Sequence, residues 1–173
     1  WIDNRYAVTG TMQLNRTSLT PADATIIGPS IWLIDTKLEK ATKIIGTATS
    51  PDDVGVYRSA SDVSIANGKL YVAEEDSLDN EFGRDGFLAI YDMSDIHHPQ
   101  FIKRLKPGAG LPSDFAVGHT MVRTPDERFL YLSSYYSNHI IKIDTATDQA
   151  AKIYSAADGL DVPHGEFISG AFR

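Results

Sequence analysis

Two histidines carry the most specific chemistry in this chain. His119 lies in Gly118-His-Thr-Met-Val-Arg123 and His164 in Pro163-His164-Gly165, 45 residues further on. That interval is about the length of one four-stranded propeller blade. An imidazole binds copper, zinc, iron or nickel through one ring nitrogen while an acceptor holds the other. Two imidazoles at matched positions of successive repeats would meet at one place. Taken alone, either histidine could equally bond a neighbouring backbone carbonyl at a strand start. His97-His98 falls in a turn before Pro99, where adjacent side chains diverge, and reads as a solvated turn. His139 opens a strand farther out and reads as structural. The carboxylates concentrate between Glu74 and Asp85. Hard cations such as calcium prefer oxygen ligands of this kind, but the spacing is not that of an EF-hand. A charged, solvated loop is the plainer reading.

Composition narrows the classes of function. The 173 residues are 42% hydrophobic and 10% aromatic, enough to bury a core in one compact domain. A net charge of −7 with no basic cluster argues against nucleic acid and anionic membrane as partners. No apolar run approaches the roughly 18 residues of a membrane-spanning helix. The absence of cysteine removes disulfides, thiolate nucleophiles and cysteine-based zinc or iron–sulfur sites. The chain starts at Trp1 without an initiator Met, which suggests a processed or trimmed product.

The elements that must position these residues are short strands. Arg5 to Thr11 reads as a strand, 12–29 as a long polar loop, and Ser30-Ile-Trp-Leu-Ile-Asp35 and Thr42-Lys-Ile-Ile45 as strands. Residues 46–61 read as a connection and Val63-Ser-Ile65 as a strand. Ala66-Asn67-Gly68 is a hairpin turn signal, with Lys69 to Ala73 as the return. Residues 74–86 read as an acidic loop and 106–118 as another loop. Phe87 to Tyr91 and Gln100 to Leu105 read as strands. Thr124-Pro125-Asp126-Glu127 makes a turn between the His119 strand and Phe129 to Leu132. Two further strands follow, Ile140 to Ile143 and Ala150 to Tyr154.

These strands repeat. Trp32-Leu-Ile-Asp35, Ala89-Ile-Tyr-Asp92 and Ile141-Lys-Ile-Asp144 each end an apolar run in aspartate, at intervals of 57 and 52 residues. Tyr6-Ala-Val8, Leu70-Tyr-Val72 and Leu130-Tyr-Leu132 supply the strand before each. Loops of different length explain the unequal intervals. The fold class is therefore all-β, built of about three four-stranded blades near 1–50, 61–106 and 119–155. The innermost strand of a further blade is expected at 164–173.

Arg123 to Thr147 resembles the YVTN type of propeller repeat, and Gly86 to Pro99 the related LVIVD type. Propellers have about 4–8 blades, so the resemblance implies part of a larger ring, such as a seven-bladed one, completed by missing segments or other chains. Gly118-His119-Thr120 and Pro163-His164-Gly165 also resemble positions in the copper propellers of the thiocyanate dehydrogenase and nitrous oxide reductase type. That resemblance implies copper held by His119 and His164 at the central mouth. It further implies a periplasmic or secreted oxidoreductase for a small inorganic sulfur or nitrogen compound, with Glu75 as general base. Lack of cysteine rules out the binuclear site of nitrous oxide reductase and favours the thiocyanate dehydrogenase type. Two other readings remain: a non-catalytic propeller used as an interaction scaffold, and a lactonase-type propeller hydrolase dependent on calcium.

Overall fold

The computed structural model describes residues 2, 4–11, 30–45, 58–76, 86–134 and 137–159. Among them, strands assemble into three sheets. The first has the order β1 (Tyr6–Thr11), β2 (Ser30–Asp35), β3 (Lys40–Ile45). The second runs β4 (Arg58–Ala66), β5 (Lys69–Asp76), β6 (Gly86–Asp92), β7 (Gln100–Pro107) and the two-residue β8 (Gly110–Leu111). The third is β9 (Gly118–Arg123), β10 (Phe129–Ser134), β11 (His139–Asp144), β12 (Gln149–Tyr154). Neighbouring strands are antiparallel except for the short β7–β8 pairing. This is the all-β, blade-by-blade architecture of a β-propeller, with β1, β5 and β10 as the second strands of successive blades.

The sequence reading is corrected most in three stretches. The second sheet's inner strand begins at Arg58, not Val63. Its partner runs through Asp76, so Glu74, Glu75 and Asp76 belong to a strand and not to a loop. The stretch 106–118 contains β8 and the end of β7. In each case a polar stretch is carried into the sheet by ladder hydrogen bonds, which side-chain polarity does not reveal.

The repeated aspartate has a common physical role. Asp35 Oδ1 accepts the backbone N–H groups of Lys37 and Leu38, Asp92 Oδ1 that of Ser94, and Asp144 Oδ1 that of Ala146. Each carboxylate therefore starts the turn between third and fourth strands by satisfying amides that leave the ladder. A second bond recurs beside it: the amides of Thr36, Met93 and Thr145 donate to the carbonyls of Arg5, Gly68 and Arg128. In the first and third sheets Arg5 and Arg128 also pair with Asp35 and Asp144. The arginine beside Asp35 holds its carboxyl at about 2. In the second sheet the matching position is Gly68, whose φ of 72° follows the 52° of Asn67. Two successive positive φ values are what a type I′ hairpin turn demands.

Alternation along the strands sorts the core into two layers. Tyr71, Ala73, Leu88, Ile90 and Leu105 pack on Met121, Leu130, Leu132, Ile141 and Ile143 of the third sheet. The opposite face of the second sheet, with Leu70, Val72, Ala89 and Tyr91, packs on Ile31 and Ile45 of the first. Strand β6 is consequently buried along nearly its whole length, without polar alternation. Gly86, where it starts, passes so close under the connection to the third sheet that a Cβ there would land on the Ala116 carbonyl.

The blades are also joined by polar contacts away from the mouth. Asp148 in the last hairpin of the third sheet accepts Lys69 Nζ at 2.8 Å and Tyr71 Oη at 2.7 Å. Burial and this carboxylate keep the Tyr71 hydroxyl protonated, well above its ordinary range. The corresponding turn of the second sheet lays His97 edge-on against Tyr6, with ring centroids 6.1 Å apart. His97 and His98 are exposed in that turn, and Asp95 bonds the His98 ring.

A buried ion pair and a buried histidine yield tests. Glu74 and Arg104 pair inside the second sheet at 2.7 Å, with side chains 0% and 1% exposed. Removing one partner strands a buried charge, so Glu74→Ala should cost about 3–5 kcal/mol. Replacing both, as Glu74→Leu with Arg104→Met, should cost less than the single change when urea midpoints are compared. His139 is 3% exposed and faces Asp114 Oδ2 at 3.2 Å. Burial, aided by the Lys152 charge and opposed by Asp114, holds its imidazole below the usual 6.5. The unfolded chain therefore takes up this proton first, so stability is present above about pH 6.5 and falls as pH drops below it. Phe87 occupies the matching register of the second sheet, opposite Glu74 as His139 is opposite Ser134. His139→Phe should flatten the decline in urea midpoint between about pH 7 and pH 5.

Candidate functional site

The inner strands β4 and β9 run side by side, and both start at the same end of the stack. There the backbones of Arg58 and Asp76, of Gly86 and Glu75, and of Gly118 and Ser134 are ladder neighbours. The hairpins carrying Asp35, Asp92 and Asp144 lie at the other end. His119 is thus at the mouth formed by the inner strands, and the exposed pair His97-His98 is not.

Ladder register refines its position. In the third sheet Thr120 pairs with Ser133 and Gly118 with Ser134, leaving His119 as the extra residue of a β-bulge. In the second sheet Asp62 pairs with Ala73 and Ala60 with Glu74, leaving Ser61 as the extra residue. Counting from the repeated aspartates, Ala73 matches Ser133 and Glu74 matches Ser134. Ser61 and His119 therefore occupy equivalent positions in successive blades, as do Asp62 and Thr120. A bulge bends the strand locally and redirects the side chains beside it.

The two bulges touch. The single Ser61 hydroxyl proton faces two acceptors, the Gly118 carbonyl at 2.5 Å and the more distant Ala73 carbonyl at 3.1 Å. Asp62 Oδ2 accepts the Met121 amide at 2.6 Å, and its Oδ1 accepts the Val63 amide at 2.8 Å. His119 stands between the two residues held in this way. It is half-buried, with Nδ1 3.2 Å from Thr120 Oγ1. Burial pushes the Asp62 carboxyl above its ordinary value, against the pull of its amide donors and of the nearby His119.

Of the residues singled out from sequence, the structure therefore places His119 at the mouth. His164 and the tyrosines 135–136 lie outside the described residues. The Glu75 backbone is in β5 opposite Ser59 and Gly86, at the mouth end, and its side chain is also outside the described residues. Glu74 is committed to Arg104 and is not available to a cation or as a base. Among the described residues no three His, Asp or Glu side chains gather as a metal site. Asp62 escaped the sequence reading altogether. It fell between the connection read to Ser61 and the strand read from Val63, and nothing local marks the bulge that brings it to β9.

No protein-family model and no curated protein matches the chain. A crystal structure of a protein from Lactobacillus plantarum, solved as a structural genomics target, is similar over 73% of this chain, at 15% identity and a TM-score of 0.49. The chain spans 34% of that protein's length.

Proposed function

We propose that this chain forms one wall of the central mouth of a β-propeller and that the mouth is a transition-metal site. In the reading implied by the sequence resemblance, the metal is copper. The enzyme is then a periplasmic or secreted oxidoreductase for a small inorganic sulfur or nitrogen compound. Missing segments or other chains complete the ring. The observation that supports this best is the position of His119 as the extra residue of an inner-strand bulge at the mouth end.

The fit to copper is partial. Imidazole is a good copper ligand, and His119 supplies one; His164, one repeat later, is the next candidate. His119 and His164 would hold the copper, which when bound would supply an electron acceptor for the substrate. The chain's own contribution is to present the imidazole on a fixed backbone and to place Glu75 at the same end for proton transfer. The calcium-dependent hydrolase reading loses Glu74 to its ion pair with Arg104.

Metal analysis of the complete assembled protein tests this proposal. Copper should be present in stoichiometric amount, and His119→Ala and His164→Ala should each reduce it. With copper retained, Glu75→Gln should lower turnover of thiocyanate, as the test substrate, by about 10²–10⁴-fold, the usual contribution of a general base. Calcium in place of copper would move the protein to the hydrolase class. Absence of metal, or copper content indifferent to both histidine changes, would leave the scaffold reading.

A further inference from the structure

We propose that Ser61 and Asp62 are positioning residues for His119, so that the second blade sets the direction of the imidazole carried by the third. The inference rests on the reading of the mouth as the functional site, and it adds residues that do not themselves bind the ligand. Its basis is geometric. A bulge bends its strand and re-aims the side chain of the extra residue, so contacts that hold the backbone on either side bear on its direction. His119 is that residue. On one side of it, the Gly118 carbonyl is held by Ser61 Oγ. On the other, the Met121 amide is held by Asp62 Oδ2. Both holding groups come from the matching bulge of the neighbouring inner strand.

The contacts are specific in chemistry as well as in place. Ser61 supplies the hydroxyl proton that a carbonyl requires, and the Asp62 carboxylate, which when ionised can only accept, takes an amide. Asp62 is anchored in turn by the Val63 amide, which fixes the carboxylate plane. The Ala73 carbonyl of β5 is the second, longer acceptor of the same Ser61 hydroxyl. The pair therefore ties the register of the second sheet to the third on both sides of the bulge at His119. Residues around a ligating histidine commonly matter to metal affinity by about 10- to 100-fold, and an effect of that order is expected here.

The test uses the full chain with Asp62→Ala, Asp62→Asn and Ser61→Ala, and Ser64→Ala as a control on the same strand. In metal-free protein, Asp62→Ala should shift the His119 ring resonances and speed hydrogen exchange at the Met121 amide. Asp62→Asn keeps an oxygen acceptor and should restore both. With copper(II) alone as the probe, Asp62→Ala and Ser61→Ala should weaken binding about 10- to 100-fold and change the copper resonance spectrum, whereas Ser64→Ala should do neither. A wild-type chain in the complete assembly that takes up no copper sinks the metal reading and leaves the ring resonances to decide this one. His119 resonances and Met121 exchange that stay at wild-type values in folded Asp62→Ala overturn the positioning role. If Asp62→Ala fails to fold, unchanged resonances in Ser61→Ala overturn it instead.

Discussion

A sheet that is apolar on both faces cannot stand alone, and the rest of this structure depends on that constraint. Strand β6 is buried on either side, so the second sheet needs a neighbour against each face. One layer of contacts holds the third sheet and the other holds the first. Burial of this apolar area is the main favourable term, at about 25 cal/mol per Å² removed from water. It is not directional, however, and apolar faces alone would let the sheets slide. Asp148 gripping Lys69 and Tyr71, and Ser61 and Asp62 gripping β9, give the stack a register.

Register is what turns a stack of sheets into a possible site. The end carrying the aspartate hairpins is made of local turns that repeat with small variations, such as the arginine of the first and third sheets giving way to Gly68 in the second. The opposite end is where inner strands bulge and where connections vary in length. Repetition at one end and freedom at the other lets a shared frame present different side chains at the same place. Ser61 in one blade and His119 in the next illustrate this, since the backbone position is the same and the chemistry is not.

Buried polar groups in the structure divide along the same line. The Glu74–Arg104 pair lies inside one sheet and takes the first carboxylate of the acidic stretch away from the mouth. His139 sits where the second sheet has Phe87, which marks it as a side chain of the blade interior. Asp62 is polar and partly buried at a seam between blades, and its partners are backbone amides on both sides of that seam.

The sequence by itself determined the fold class, the blade repeat and the end of the molecule on which His119 lies. Those features rest on local patterns: apolar alternation, Asn67-Gly68 in a tight hairpin, and an aspartate that caps the same turn three times. Local patterns are legible because each depends on residues a few positions apart. Only the tertiary structure decided that Glu74 faces Arg104, 30 residues away, and that β5 continues through Asp76. It alone brought Ser61 and Asp62 against the strand of His119, 57 residues or more along the chain. A bulge leaves no compositional trace, because it is a mismatch between two ladders. The pairing of strands from different blades is set by which apolar faces meet, and that is a property of the packed whole.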